Sequence, residues 1–140
     1  MKPRIAMQKL NNFSTKYRIY YEDTDAGGVV YYANYLKFFE RARTDFLRAS
    51  NISQNQLLQS EKLIFVVRRC EIDYVSPAKL DDLVEVSVFV EKIGGASINM
   101  KQEMSVDGKI LSRLNVEIVS VDAESFRPKK ISQELKDLLS

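Results

Sequence analysis

The chain has 140 residues, 45% of them hydrophobic and 29% charged, a composition that fits a globular protein with room for one hydrophobic core. Its 21 Lys and Arg against 19 Asp and Glu leave a net charge of +2, with the cations scattered along the sequence. A nucleic-acid partner is therefore not expected, because such binders gather their cations on one face. No transmembrane segment is expected either, since no apolar run is long enough to span a bilayer.

The sequence contains no histidine and a single cysteine, Cys70. Ser-His-Asp and Cys-His nucleophilic systems cannot be built from it, and an internal disulfide is impossible. With no imidazole ligand available, neither a metal nor another cofactor is expected. Acid–base chemistry must rest on carboxylates, Lys, Tyr or Cys. The N-terminal MKPRIAMQKLNNFSTKYR lacks the unbroken apolar core of a secretory signal, and the expected compartment is the cytoplasm. Residues 1–140 read as a single domain, with 1–14 as a lead-in.

In chain order, 15–22 alternate and are rich in tyrosine, which predicts a strand. The turn-forming DTDAGG follows at 23–28. From about residue 33 to 49 the period changes to three and four, with Tyr35, Leu36, Phe39, Ala42, Phe46 and Ala49 on one side. This predicts an amphipathic helix, with Asn34 as its N-cap. A short helical turn is expected at 53–60.

The remainder reads as antiparallel sheet. Ile64, Val66, Cys70, Ile72 and Tyr74 share one face of a strand at 63–75, which places Cys70 as a core thiol. Alternation at 83–93, 96–106 and 109–121 predicts three more strands. Gly94-Gly95 and Asp107-Gly108 are the dipeptides of tight hairpins that use positive φ. A last short helix, capped by Ser132, is expected to place Ile131, Leu135 and Leu138 on one side. The order predicts an α+β fold in which the long helix packs across one face of a curved sheet.

The segment with chemical potential is 21–32, YEDTDAGGVVYY, where Glu22, Asp23 and Asp25 precede two glycines and the start of the long helix. An acidic Gly-containing stretch is also what an ordinary solvated loop contains, and a DxD pair alone is weak evidence for a cation site. The adjacent helix entrance offers unpaired N–H groups and a partial positive charge, which suit an oxyanion. A carboxylate beside them can activate water or attack a carbonyl. Thioesters suit so sparse a site, because a thiol with pKa about 8.5 leaves without a strong general acid.

The runs YEDTDAGGVVYYANYLKFFERARTDFLR (21–48) and LIFVVRRCEIDYVSPAKLDDLVEV (63–86) closely resemble the YbgC/4-hydroxybenzoyl-CoA thioesterase family of hotdog proteins, and the likeness covers roughly 15–130. The resemblance implies a hotdog fold, an antiparallel sheet of five or six strands wrapped around one long helix. It implies an acyl-CoA thioesterase with Asp25 as base or nucleophile and the Tyr32 backbone N–H as oxyanion donor. Many YbgC-like members have histidine where this chain has Tyr32, whereas the benzoyl-CoA branch has tyrosine and uses the main chain. Gly28, Val66, Val67 and Ser97 fall at substrate-contacting positions, Val66 and Val67 on the strand lining the acyl pocket and Ser97 near pantetheine. Arg68, Arg69, Arg113, Arg127, Lys129 and Lys130 are candidate partners of the CoA phosphates. Asp23 is expected to hold the loop. Glu40 is expected in a helical ion pair with Lys37 or Arg43, although some hotdog enzymes carry a catalytic carboxylate on this helix.

The resemblance further implies a homodimer or homotetramer with sites at the subunit interface, and a Tol-Pal-associated setting in lipid metabolism. Two other functions compete. A hotdog dehydratase or hydratase generally needs the histidine this chain lacks. A non-catalytic protein that binds acyl thioesters and docks acyl carrier protein or lipid-synthesis enzymes does not.

Overall fold

The computed structural model describes residues 12–140. The expected lead-in lies outside the described residues as far as residue 11, but its last three residues belong to the first strand, β1 (Asn12–Arg18). The strand therefore starts and ends earlier than its tyrosine-rich spacing predicts. Ile19 is fully buried, and the chain then turns in a 3-10 helix at Tyr21–Asp23. There Asp23 Oδ2 accepts the Tyr20 N–H at 2.8 Å, a local bond that competes with extension of the ladder.

The long helix, α1, spans Tyr35–Ala49 and makes about four turns. A 3-10 turn at Tyr32–Asn34 leads into it. Asn34 does not cap α1. It is already helical (φ −75°, ψ −17°), and its side chain makes no capping bond. Its amide instead donates to the Asp23 carbonyl at 3.0 Å. The buried face of α1 is Tyr35, Phe38, Phe39, Ala42, Phe46 and Leu47, a stripe with helical spacing. Leu36 and Ala49, expected on that face, are exposed at its margin and its end. Helix α2 (Gln54–Glu61) follows, with Ser53 accepting from the Gln56 N–H.

Strands β2 (Leu63–Tyr74), β3 (Leu83–Ile93), β4 (Ser97–Val106) and β5 (Lys109–Asp122) complete a five-stranded antiparallel sheet of order β1-β3-β4-β5-β2. Residues directly opposite in an antiparallel pair share a face. The pairs Tyr17–Val84, Val86–Met104, Val90–Met100, Met100–Val116 and Ile98–Ile118 therefore build one continuous apolar surface. This surface and the buried stripe of α1 form the core. Burying an aromatic side chain such as Phe38 or Phe39 contributes about 1.5–3 kcal/mol each. The same alternation carries Gln102 into the core, only 1% exposed. Its amide is satisfied at both ends, donating to the Phe39 carbonyl at 3.0 Å and accepting from Arg43 Nη1 at 2.9 Å. Both bonds run to α1, so a polar side chain pins the helix to the sheet.

Asp107 and Gly108 do take positive φ (49° and 81°), but Gly94 and Gly95 do not. Gly94 is there for close approach: its N–H reaches the Ser97 carbonyl at 2.7 Å, and a Cβ on it would stand 2.7 Å from Ser97 Oγ.

In β2 the expected face is broken. Val67 opposes Ile118 and Arg69 opposes Glu117, consecutive residues of β5, so Arg68 is an extra residue that inverts the alternation. Phe65, Val67, Cys70, Ile72 and Tyr74 share the helix side, while Ile64 and Val66 lie opposite. Cys70 is exposed rather than a core thiol, on a strand that lies at the edge of the sheet. The C-terminal helix α3 (Gln133–Leu139) is capped by Ser132 as expected, and buries Leu135 and Leu139. Leu138 is exposed instead.

Candidate active site

The acidic loop is a miniature hairpin. Thr24 bridges Val30 in antiparallel fashion, the Asp25 N–H donates to the Val29 carbonyl at 2.9 Å, and the Gly28 N–H donates to the Asp25 carbonyl at 3.1 Å. Gly28 takes φ +79°, the left-handed conformation that closes a turn of this kind and that glycine adopts without a Cβ penalty. Its carbonyl accepts the Leu80 N–H at 3.1 Å, and the Val30 N–H donates to the Ala78 carbonyl at 2.8 Å. The hairpin is thus tied to the segment that precedes β3.

Asp25 stands exposed at the start of the turn. Its Oδ1 accepts the Gly27 N–H at 2.8 Å, which fixes the side chain and leaves its other oxygen outside that bond. Asp23 is a brace, as expected. Besides the bond to Tyr20, its carbonyl accepts the Tyr31 N–H at 3.2 Å and the Asn34 amide. Those bonds hold the far end of the hairpin against the entrance of α1.

Tyr32 opens the 3-10 turn, where an N–H has no intrahelical acceptor, and among the described residues it donates to none. The next peptide is clamped, because the Tyr74 hydroxyl donates to the Tyr32 carbonyl at 3.0 Å. Tyr32, Tyr35 and Tyr74 form an edge-to-face aromatic group with Tyr31 beside Tyr32. Burial, then the neighbouring Tyr35, Tyr32 and Cys70, push the Tyr74 phenol above its ordinary value. The neighbouring Tyr32 phenol raises that of Tyr31. Tyr74 was not singled out by sequence; its place on the face of Tyr32 depends on the bulge at Arg68.

A second feature lies along α1. Leu36, Lys37, Glu40, Arg43, Thr44 and Leu47, with Phe65, Val66, Val67 and Ile118 from the sheet, line a groove of about 480 Å³, within the roughly 300–1,000 Å³ of small-molecule sites. Val66 and Val67 therefore meet in one cavity wall, although Val66 lies on the opposite strand face from Val67. Glu40 is exposed to this groove and makes no ion pair among the described residues, contrary to expectation. Arg43 turns to Gln102 instead. Asp25, Gly28 and Tyr32 lie on one loop, and the groove is lined by other residues. Ser97 sits apart in the β3–β4 hairpin, opposite Val119. Of the candidate phosphate ligands, Arg68 and Arg113 are engaged by Glu117 (2.7 Å) and Glu103 (3.1 Å). Among the described residues Arg69, Arg127, Lys129 and Lys130 are in no ion pair.

Residues 20–139, which contain the loop, the helix and the whole groove, match the family model of the thioesterase-like superfamily. The chain belongs to that superfamily. It is similar to the acyl-CoA thioesterase YbgC of Haemophilus influenzae, 47% identical over 126 residues that cover 90% of this chain and 93% of the relative. The acyl-CoA thioester hydrolase YbgC of Escherichia coli is 40% identical over 119 residues, 84% of this chain and 88% of the relative. A probable thioesterase from Bartonella henselae superposes with a TM-score of 0.82 at 35% identity, over 86% of this chain and 99% of that one. The thioesterase-like fold is the hotdog arrangement expected from sequence, here with five strands among the described residues. The expectation of a thioester-hydrolysing enzyme agrees with these relatives. No described helix is long and apolar enough to cross a membrane.

Proposed function

We propose that the protein hydrolyses acyl-CoA thioesters, with Asp25 as the base that activates water and the Tyr32 N–H as oxyanion donor. The observation that carries the reading is the hairpin of residues 24–30, which ties an exposed carboxylate to a helix entrance whose first N–H is unused among the described residues. Asp25 takes a proton from water as the water oxygen bonds to the thioester carbonyl carbon. Negative charge moves to the carbonyl oxygen, where the Tyr32 N–H stabilises it. Collapse of this intermediate breaks the C–S bond and expels the thiolate. Direct attack by the Asp25 carboxylate would form an anhydride, which water then opens to the same products; trapping of an acylated enzyme separates the two routes.

The groove beside Val66 and Val67 supplies the acyl site in this reading, and Gly28 lets the thioester approach the loop backbone. Strand β2 is paired on one side only, to β5, along its twelve residues. Such an edge is a template for a second copy, and the expected dimer forms there, bringing a partner against the groove. Light scattering of the purified protein tests this: a monomer at working concentration removes the assembly.

Asp25→Asn tests the mechanism. The Asn oxygen still accepts the Gly27 N–H, so the loop persists, while the base is gone. The expected loss in kcat/KM is about 10²–10⁴, followed by thiol release from a panel of acyl-CoAs. Retention of more than a tenth of wild-type activity on the best substrate refutes Asp25 as base.

A further inference from the structure

The groove along α1 holds a cation that its apolar walls do not call for. Arg43 lines it together with Leu36, Leu47, Phe65, Val67 and Ile118. The guanidinium is largely withdrawn from water, and this burial pulls its pKa below the ordinary value, against a smaller upward pull from the Glu40 carboxylate and then Cys70; an arginine stays charged at any working pH. A charge so placed needs a partner, yet no carboxylate ion-pairs with Arg43 among the described residues. Its one bond recorded there runs from Nη1 to the neutral Gln102 Oε1, at 2.9 Å. Gln102, held in turn by the Phe39 carbonyl, fixes the guanidinium without neutralising it. No buried side-chain nitrogen or oxygen of the described residues is left without a partner, so the remaining guanidinium nitrogens reach accessible space. Arg43 has that space in the groove.

The other charges at the groove are Lys37 and Glu40. Both are exposed and screened by water, and with Arg43 they leave the lining cationic by one charge. The less hydrated charge governs what enters. Apolar walls with one fixed arginine that is in no ion pair among the described residues match an acyl chain that ends in an anionic oxygen group, which arginine grips in bidentate fashion.

We propose that Arg43, held by Gln102, is a specificity-determining residue that selects acyl thioesters carrying a second carboxylate at the end of the acyl chain. The inference rests on the groove being the acyl site of the thioesterase reading above. The test compares glutaryl-CoA with valeryl-CoA, chains of equal length with and without the carboxylate, by thiol release in wild type, Arg43→Met and Arg43→Lys. Wild type is expected to favour glutaryl-CoA by at least about tenfold in kcat/KM. Arg43→Met should bring that ratio to one or below, mainly through KM, and Arg43→Lys should keep part of it. Thermal melting shows whether each variant folds; should Arg43→Met not fold, the Lys variant alone decides, by a lowered ratio or an unchanged one. Wild type that hydrolyses valeryl-CoA as well as glutaryl-CoA overturns the proposal and leaves the thioesterase reading standing. Equal losses on both substrates in the variants overturn it too, since a structural role would do that. Hydrolysis of neither by wild type, extended to the full acyl-CoA panel, overturns both readings.

Discussion

The hydroxyl of Tyr74 offers a test of how far the active-site backbone depends on one distant side chain. Tyr74→Phe deletes the bond to the Tyr32 carbonyl at 3.0 Å and keeps the ring, with its edge-to-face contacts at 6.4 Å to Tyr32 and 5.2 Å to Tyr35. A neutral hydrogen bond contributes about 0.5–1.5 kcal/mol net. Tyr74 is 47% exposed, so water takes over the carbonyl in the variant, and the loss in stability belongs near 0.5 kcal/mol. For a chain of this size that lowers Tm by about 1–3 °C. Turnover should suffer more, because the freed peptide adjoins the N–H proposed to meet the oxyanion. A loss of about 1–1.4 kcal/mol of transition-state stabilisation is a five- to tenfold fall in kcat, with KM nearly unchanged. The raised phenol pKa keeps the hydroxyl a donor through neutral and mildly alkaline solution, so the deficit should be constant over that range. The assay is steady-state thiol release across pH, paired with thermal melts. A kcat within twofold of wild type, or a change confined to KM, refutes the clamp.

Gly28→Ala forces a Cβ into φ +79° and is expected to cost about 1–2 kcal/mol, whereas Gly95→Ala, with no positive φ and nothing within 4 Å of the new Cβ, should change the urea midpoint little; equal shifts would refute the strain argument. Asp122 accepts the Glu124 and Ser125 N–H groups at 3.0 and 2.9 Å, and these bonds hold its carboxyl below the ordinary value of 3.8. A depressed carboxyl stabilises the fold above its unfolded pKa and loses that contribution as pH falls through its folded one. The Tm advantage of wild type over Asp122→Asn should therefore shrink as pH drops below about 4, and a gap that widens there would reverse the reasoning.

The alternating strands β3, β4 and the part of β5 up to Ile118 were readable because one face is buried and the other meets solvent, and a period of two records that division; from Ile118 to Val121 both faces of β5 are buried. The cap at Ser132 was readable because a hydroxyl before a helical run has one obvious donor to serve. What escaped the sequence is where several local choices compete. Asn34 has the chemistry of a cap, but the nearby Asp23 carbonyl takes its amide. Glu40 and Arg43 have the spacing of an ion pair, but the inward Gln102 of β4 claims the arginine. Leu139 rather than Leu138 is buried because the packing of α3 on the body selects the face. Within the loop, physics marked three carboxylates, and resemblance chose Asp25. The hairpin bonds now separate the roles of two of them: Asp23 is consumed in bracing, while Asp25 is bound through one oxygen only.

Arg68 contributes one residue of length to β2, and that length matters more than its side chain. Ahead of it, Phe65 and Val67 face α1; beyond it, Tyr74 does so as well, on what would otherwise be the wrong parity. Substitution at 68 leaves this phase intact. Deletion would rotate every later residue of the strand to the other side, withdrawing Tyr74 from the Tyr32 peptide while leaving the groove wall in place. The strand thus accepts changes of letter there far more readily than changes of count, and insertions or deletions at this point would act on the proposed reaction centre from a distance.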